Sequence, residues 1–202
     1  QKKYEDKLGS KICNYNIYSI VGDGCLMEGI SYEAASIAGH LQLDNLIILF
    51  DDNGISIDGK TDLTVSEDHI KKFESLGFET FVANGYDDED LSNVLSKAKT
   101  SNKPCFIACR TIIGKGTNIK EGSEKSHGAP LGQEELEFLK TKITKSSEAF
   151  NIDQDMKSLW EAAWQKDEGE YKLWQEDFKN LSDDKKEYIK MPSLKIPSDL
   201  ED

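Results

Sequence analysis

Residues 46–50 (Leu-Ile-Ile-Leu-Phe) form an unbroken apolar run that stops at a polar turn, residues 51–54 (Asp-Asp-Asn-Gly). A short run without polar alternation is typical of a strand that is covered on both faces, as in a parallel sheet. Residues 16–21 predict a second buried strand, which ends at Gly22-Asp23-Gly24. Between them, apolar residues at helical spacing from Leu26 onward predict a helix that ends near Gly39-His40. The sequence therefore predicts a strand–helix–strand unit.

The same alternation continues along the chain. We predict a helix over 66–76, a strand over 78–82, a helix over 87–99 and a core strand over 105–113. This order indicates a doubly wound α/β fold, with a mainly parallel sheet flanked by helices. Ligands bind such sheets beyond the carboxyl ends of the strands. We therefore expect the chemistry where three loops gather, at 22–25, 51–57 and 114–130.

The composition changes near Gln133, after which Glu, Lys, Gln and Trp dominate and no further strand is predicted. We predict an α/β domain over 1–132 and a helical extension over 133–190, with Trp160, Trp164 and Trp174 as its apolar anchors. Residues 191–202 hold two of the four prolines and are typical of an extended interdomain linker. A linker followed by nothing predicts that the chain is part of a longer polypeptide.

The charge balance excludes several classes of partner. With 38 acidic and 25 basic residues the formal charge is −13, which repels nucleic acids and anionic membrane surfaces. No apolar run reaches the length of a membrane span, and the first residues lack the apolar core of a signal peptide. The four cysteines form no C-x-x-C pair, so neither a zinc site nor a disulfide framework is indicated. We expect a soluble cytoplasmic protein.

Asp23 and Asn53 follow two neighbouring predicted strands, and each lies in a turn at the same sheet edge. Mg²⁺ takes oxygen ligands and commonly binds through one or two protein carboxylate or amide oxygens together with phosphate oxygens of a ligand. The backbone carbonyl of Ile55 is within reach of the same loop, and the helix after Gly24 offers N–H groups to a diphosphate. Each turn alone is also explained by ordinary turn chemistry. Together they predict a magnesium and diphosphate site.

These turns and their neighbours resemble the thiamine-diphosphate motif of transketolases. The resemblance is carried by residues 22–31 (Gly-Asp-Gly-Cys-Leu-Met-Glu-Gly-Ile-Ser) and 51–59 (Asp-Asp-Asn-Gly-Ile-Ser-Ile-Asp-Gly). Residues 111–116 (Thr-Ile-Ile-Gly-Lys-Gly) and 127–131 (His-Gly-Ala-Pro-Leu) resemble that family's later loop in the same order. The match is close over 16–131 and loose beyond.

The resemblance implies a set of site residues. Asp23, Asn53 and the carbonyl of Ile55 would ligate Mg²⁺, for which Ca²⁺ could substitute. Gly24 and Asn53 would contact the diphosphate, and Ile57 would pack at the cofactor. His127, in a glycine-rich loop where a side chain can approach a ligand closely, would contact the diphosphate and the substrate. Glu28 would lie at a dimer interface and help a glutamate of the partner to activate the aminopyrimidine ring of thiamine diphosphate.

The resemblance also implies an activity, the reversible transfer of a two-carbon ketol unit between ketose and aldose phosphates, in a homodimer. A second domain would hold the pyrimidine ring, and it does not lie within residues 1–202. The α/β domain would be incomplete at its N-terminus as well, so we expect the chain alone to be inactive. Transketolases and close relatives such as dihydroxyacetone synthase share these motifs.

Two alternatives remain. Residues 54–61 (Gly-Ile-Ser-Ile-Asp-Gly-Lys-Thr) match the P-loop pattern G-x-x-x-x-G-K-[ST] of nucleoside triphosphatases. A working P-loop passes directly into a helix, whereas residues 62–65 do not start one, and Asp58 would place a carboxylate beside the phosphates. The other alternative is a non-catalytic binding or regulatory module that has the same fold.

Overall fold

The computed structural model describes residues 1–143, 148 and 150–190. Its contacts divide these residues into two compact units. The first, here the sheet unit, is Asn16–Ala149, and the second, here the helical unit, combines Gln1–Tyr15 with the residues from Phe150 onward. These units divide the chain at positions other than the predicted domain boundaries. The predicted linker, 191–202, lies outside the described residues.

A four-stranded, wholly parallel sheet forms the centre of the sheet unit, with strand order β1-β2-β6-β5. Two further strands, β3 and β4, form a small antiparallel hairpin directly after β2. The strands are β1 (Ile17–Gly22), β2 (Leu46–Asp52), β3 (Ile55–Ser56), β4 (Gly59–Lys60), β5 (Glu79–Asn84) and β6 (Cys105–Arg110). All four predicted strands are present, and the last one ends three residues earlier than predicted.

Helices connect the strands of the sheet unit. They are α3 (Asp23–Met27), α4 (Gly29–His40), α5 (His69–Ser75), α6 (Asp88–Thr100) and α7 (Gln133–Ile143), with 3₁₀ turns at Thr61–Leu63 and Glu124–Ser126. The single helix predicted after Gly24 is wrong, since Glu28 has extended dihedral angles (φ −77°, ψ 133°) and separates α3 from α4. The cap of α5 is Asp68, whose side chain accepts a hydrogen bond from the Lys71 N–H.

Successive side chains of a strand point to opposite faces of the sheet. In the central strands both faces are covered by other parts of the sheet unit. Phe106 and Ala108 of β6 pack with Phe50 and with Phe73 of α5 on one face. The neighbouring residues of β6, Cys105, Ile107 and Cys109, pack against α6 on the other face through Val94 and Ala98. The predicted doubly wound α/β class is confirmed.

Two details of the predicted core are wrong. β1 is an edge strand, and its Tyr18 and Ile20 side chains are exposed, Ile20 to 79%. Ile30 and Ile37 of α4, and Leu41 directly after it, are exposed, whereas the small residues Ala35, Ala38 and Gly39 are buried. The reason is close packing, because a Cβ on Gly39 would lie 1.7 Å from the carbonyl oxygen of Leu76.

The helical unit contains α1 (Lys2–Leu8), α2 (Ser10–Cys13), α8 (Gln154–Lys179) and α9 (Asp183–Ile189). Leu8, Ile12 and Cys13 form its core with Phe178 and other apolar residues of the C-terminal helices. Trp174 stacks on Phe178, with ring centroids 5.1 Å apart, and its Nε1 donates a hydrogen bond to the Ile12 carbonyl at 3.1 Å. The predicted anchor role fits Trp174.

Trp160 and Trp164 differ from Trp174, because they are 74% and 73% exposed. The predicted anchor role is therefore wrong for these two tryptophans. Among the helices of the described residues, none has both the length and the apolar character that crossing a bilayer requires.

Candidate metal and diphosphate site

Asp23 is the first residue of α3 and follows directly on the last residue of β1. Its side chain is buried, with only 6% of the residue exposed. The backbone N–H of Gly54 is close enough to lower the pKa of this carboxyl, so the turn after β1 lies beside the loop after β2. The two predicted turns therefore meet in the structure.

The second carboxylate oxygen of Asp23, Oδ2, is buried and has no hydrogen-bond partner. Burial raises the pKa of Asp23, and the nearby negative charge of Asp52 raises it further, while His69 acts in the opposite direction. A buried polar atom without a partner destabilises the fold, and native proteins rarely leave one unexplained. A cation bound at Oδ2 would supply the missing partner and favour the ionised carboxylate.

The donors around Asp23 fit a hard cation better than a transition metal. No group of three or more His, Cys, Asp or Glu side chains within the described part of the chain could hold a metal ion. A metal at Asp23 would therefore depend on neutral oxygens, and the amide of Asn53 and the carbonyl of Ile55 lie in the adjoining loop. One carboxylate with amide, carbonyl and phosphate oxygens is a ligand set suited to Mg²⁺.

The Asn53 amide is held on both sides. Its Nδ2 donates to Oδ2 of Asp51 at 3.1 Å, and its Oδ1 accepts from the Ile55 N–H at 3.0 Å. Asp51 in turn accepts a hydrogen bond from the hydroxyl of Thr111, which follows β6. We did not predict Asp51 or Thr111 as site residues, because their contact spans 60 residues of sequence.

A cavity of about 360 Å³ lies beside Asp23. Five of its eleven lining residues are acidic, among them Asp52, Asp62 and Glu67, and His69 and Arg110 line it as well. Arg110 forms an ion pair with Asp52 across the neighbouring ends of β6 and β2. His69 is partly buried, since its ring packs edge-on against Phe50 at 5.4 Å and its Nδ1 is buried.

The hairpin of β3 and β4 presents Ile57 at its tip, where the side chain is 72% exposed. The same hairpin covers most of the P-loop match at 54–61, and Ser56 pairs with Gly59 across it. After it the chain enters only a short 3₁₀ turn, Thr61–Leu63. The segment over 54–63 therefore does not pass directly into an α-helix as a P-loop does, which argues against the nucleoside triphosphatase alternative.

The loop over 114–130 is organised by a buried carboxylate from α7. Glu135 accepts the backbone N–H groups of Asn118 at 2.7 Å and Ile119 at 3.2 Å. Gly114 and Gly116 have positive φ angles, of 64° and 88°, which favour glycine. Glu135 was not predicted, because one Glu in a helix rich in Glu gives no signal from the sequence alone.

His127 lies in this loop with its side chain exposed, and Glu28 is exposed at the junction of α3 and α4. Within the described residues neither side chain makes a hydrogen bond or ion pair with Asp23 or Asn53. The structure places Asp23 beside Gly54 and joins Asn53 to Ile55 by a hydrogen bond, and Gly24 is adjacent in sequence to Asp23. The metal-ligand roles of Asp23, Asn53 and Ile55 stay predictions, as do the site roles of His127, Glu28, Gly24 and Ile57.

Comparison with protein families gives one match over nearly the whole chain. The model described as "Transketolase, thiamine diphosphate binding domain" matches residues 1–194. Among curated proteins, the transketolase of Sinorhizobium medicae is 42% identical over 76% of the chain. The transketolase of Buchnera aphidicola is 38% identical over 96% of the chain.

Solved structures agree with these sequence matches. The transketolase of Campylobacter jejuni superposes with a TM-score of 0.84 at 42% identity over 93% of the chain. The transketolase of Leishmania mexicana gives 0.80 at 36% identity over 86% of the chain. The chain spans only part of each relative, namely 22% and 30% of the two curated proteins and 29% and 28% of the two solved chains.

Proposed function

The chain belongs to the thiamine-diphosphate-binding domain family of transketolases, and on that premise we propose that its sheet unit binds the diphosphate of thiamine diphosphate through Mg²⁺. The metal is proposed on one observation, the buried Oδ2 of Asp23. This oxygen has no hydrogen-bond partner although the carboxylate lies beside the loop that holds Asn53. The family match supports thiamine diphosphate as the ligand of this site.

Asp23, the amide oxygen of Asn53 and the carbonyl of Ile55 would ligate the cation, and diphosphate oxygens would complete its shell. Ca²⁺ would serve in place of Mg²⁺, because both ions take the same oxygen donors and Ca²⁺ tolerates less regular geometry. The cation would neutralise the diphosphate in a protein whose formal charge is −13. Without it, Asp23 and the diphosphate would repel each other.

The remaining predicted residues would contact the cofactor directly. A side chain added at Gly24 would meet no atom within 4 Å, so its backbone borders open space that a diphosphate can enter. Ile57 offers an exposed apolar surface to the organic part of the cofactor. His127, on the loop held by Glu135, would donate a hydrogen bond to the diphosphate and to a hydroxyl or carbonyl of the substrate.

The reaction proposed for the whole protein is the reversible transfer of a two-carbon ketol group between ketose and aldose phosphates. Bound thiamine diphosphate supplies an electron sink for this chemistry. The chain's own residues would bind and orient the cofactor, and His127 would orient the substrate. Because the chain spans 22% to 30% of its curated relatives, we propose that residues 1–202 alone do not turn over substrate.

A homodimer with a pyrimidine-binding domain would complete the site, and Glu28 would act there on a glutamate of the partner. The exposed apolar residues Ile30 and Ile37 of α4, with Leu41 at its C-terminal end, support a protein contact on this helix. We place the protein in the cytoplasm. No nucleic acid or membrane partner is proposed, given the acidic charge.

The metal site is tested by replacing Asp23. Asp23→Ala should weaken Mg²⁺-dependent binding of thiamine diphosphate by tenfold or more, roughly the effect of losing a charged ligand. Lys60→Ala is the matched control, because Lys60 would matter only to a P-loop. Titration calorimetry with and without Mg²⁺ measures both. Equal binding by Asp23→Ala and the unchanged protein would overturn the metal assignment.

Catalysis is tested by complementation. The chain is mixed with the remaining domains of a transketolase relative, made separately, and ketol transfer between sugar phosphates is assayed. We expect activity only in the mixture, and none when the chain carries Asp23→Ala. A mixture that binds thiamine diphosphate and Mg²⁺ but never transfers a ketol group would instead favour the non-catalytic module.

A further inference from the structure

We propose that Asp51 is the positioning residue that fixes the Asn53 amide with its oxygen available to the cation, and that Thr111 holds Asp51 for this purpose. This inference deepens the proposed function and rests on it for the cation. The hydrogen bonds themselves are features of the protein without any ligand.

An asparagine amide can be turned by 180°, which exchanges its oxygen and its nitrogen. Here the two sides of the amide have partners of opposite kind. Nδ2 faces the Asp51 carboxylate, which when ionised only accepts hydrogen bonds, and Oδ1 faces the Ile55 N–H, which only donates. The turned amide would place oxygen against carboxylate and NH₂ against N–H. Both contacts would be repulsive, so one orientation is selected.

The selected orientation leaves a coordination position free. An amide oxygen has two lone pairs, and the Ile55 N–H uses one of them. The second lone pair remains for a cation. The hydrogen bond from Ile55 also ties the two loop residues proposed as ligands to each other, so an error in the Asn53 orientation would disturb both.

Asp51 can fix the amide only if it is fixed itself. It is the residue of β2 aligned with Gly22 of β1 and Cys109 of β6, so its backbone lies inside the sheet. Its side chain is half-buried and uses separate oxygens for its two partners, Oδ1 for the Thr111 hydroxyl and Oδ2 for Asn53. The end of β6 thereby supports the metal loop after β2.

Two substitutions at Asp51 isolate the hydrogen bond from the charge. Asp51→Asn and Asp51→Leu both remove one negative charge, but only asparagine keeps an oxygen that can accept from Asn53. Its NH₂ group can donate to the Thr111 hydroxyl oxygen, so the whole chain of contacts is retained. The difference between the two variants therefore reports the hydrogen bonds made by the side chain at position 51, at equal charge.

The first readout needs no metal. In a ¹H–¹⁵N spectrum of the 202-residue chain, the Asn53 side-chain NH₂ signal is assigned by its loss in Asn53→Asp. We expect this signal to move in Asp51→Leu and to stay close to its original position in Asp51→Asn. Unchanged backbone signals of Phe106 and Ile107 in β6 would show that each variant is folded. A folded Asp51→Leu with an unmoved Asn53 signal would overturn the proposal.

The second readout is affinity for Mn²⁺, which shares the oxygen-ligand preference of Mg²⁺ and broadens nearby signals. Asp51→Leu should bind about tenfold more weakly than Asp51→Asn, the lower end of the range for outer-shell partners of metal ligands. Thr111→Val should show a smaller loss that Thr111→Ser restores, since serine keeps the hydroxyl. Equal affinities in the two Asp51 variants would count against positioning.

The two proposals fail in different ways. If Mn²⁺ does not broaden the Gly54 and Ile55 amide signals of the unchanged chain, the proposed metal site fails. The metal-free Asn53 signal would still decide whether Asp51 orients the amide. If Mn²⁺ binds but the Asp51 variants behave alike, the metal site stands and the positioning role is wrong.

Discussion

At the scale of single residues, Asp23 is the side chain whose placement is hardest to explain by folding alone. It combines a buried carboxylate, a neighbouring Asp52 that raises its pKa further and an oxygen without a partner. Proteins retain such features mainly at functional sites, where local destabilisation is part of the design. Removal of the charge should therefore stabilise the metal-free protein while it destroys the proposed metal site.

Asp23→Asn tests this opposition of stability and binding. Because folding raises the pKa of Asp23, the protonated form is favoured in the native state, and this contribution is complete below the ordinary carboxyl pKa. This stabilisation is lost as the pH rises through the raised pKa of Asp23 in the folded protein. In EDTA at pH 7 we expect Asp23→Asn to be more stable by about 1 kcal/mol, a modest fraction of the cost of a buried charge.

Urea unfolding of both proteins between pH 4 and pH 7 measures the difference. The advantage of Asp23→Asn should grow with pH in EDTA, and excess Mg²⁺ with thiamine diphosphate should reverse it. A variant that is less stable than the unchanged protein at every pH would contradict the assignment of Asp23 as a strained ligand.

At the scale of helices and strands, the hydrophobic runs predicted the positions of the elements well. They were less successful in predicting which face of each element is buried. Residues 46–50 and 105–113 were recognisable as core strands because a strand covered by protein on both faces is apolar on both, although the second strand ends at Arg110. β1 has a similar sequence but lies at the sheet edge, and no local pattern distinguishes an edge from a centre. In α4 the small residues face inward, because at Gly39 the helix approaches the Leu76 carbonyl too closely for a larger side chain to fit between.

The candidate site shows the same division. The closeness of the turns that hold Asp23 and Asn53 was predictable, because the carboxyl ends of adjacent parallel strands lie at the same edge of the sheet. Asp51, Thr111 and Glu135 were not, because their roles depend on contacts that span 60 residues in one case and 17 in another. Only the folded arrangement of β2, β6 and α7 defines those partners.

Gly39→Ala tests the close approach of α4 to the turn after α5. Because the new methyl group would lie 1.7 Å from the Leu76 carbonyl oxygen, backbone must move, and we expect a loss of roughly 2–4 kcal/mol in unfolding free energy. Gly29→Ala in the same helix is the control, since a Cβ there meets no atom within 4 Å. Thermal unfolding compares them, and equal stabilities would show that this contact is absent.

At the scale of the whole molecule, the two compact units differ in their spectroscopic properties. All three tryptophans, Trp160, Trp164 and Trp174, lie in the helical unit, and the proposed site lies in the sheet unit. Intrinsic tryptophan fluorescence therefore reports one unit, whereas hydrogen exchange of β6 amides reports the other. A chain with two units need not unfold in a single step.

This separation predicts the response to ligand. Mg²⁺ with thiamine diphosphate should slow hydrogen exchange at Ile107 and Ala108 of β6, by mass action on the folded sheet unit. The urea midpoint followed by tryptophan fluorescence should change little. Trp174→Ala should lower the unfolding free energy of the helical unit by about 3 kcal/mol. The urea midpoint followed by fluorescence should fall accordingly, and hydrogen exchange in β6 should not change. A fluorescence midpoint that rises with ligand as much as β6 protection would show that the units unfold together.

Within the described residues the outer side of β1 has no neighbouring strand, and Ile20 beside it is largely uncovered. Unpaired strand edges can recruit the edges of other molecules and start aggregation. The net charge of −13 opposes such encounters, because like-charged molecules repel. That repulsion acts over only about 10 Å at 0.1 M salt and over about 30 Å at 0.01 M. The protein should therefore stay dispersed in dilute buffer and begin to associate through β1 as the salt concentration rises.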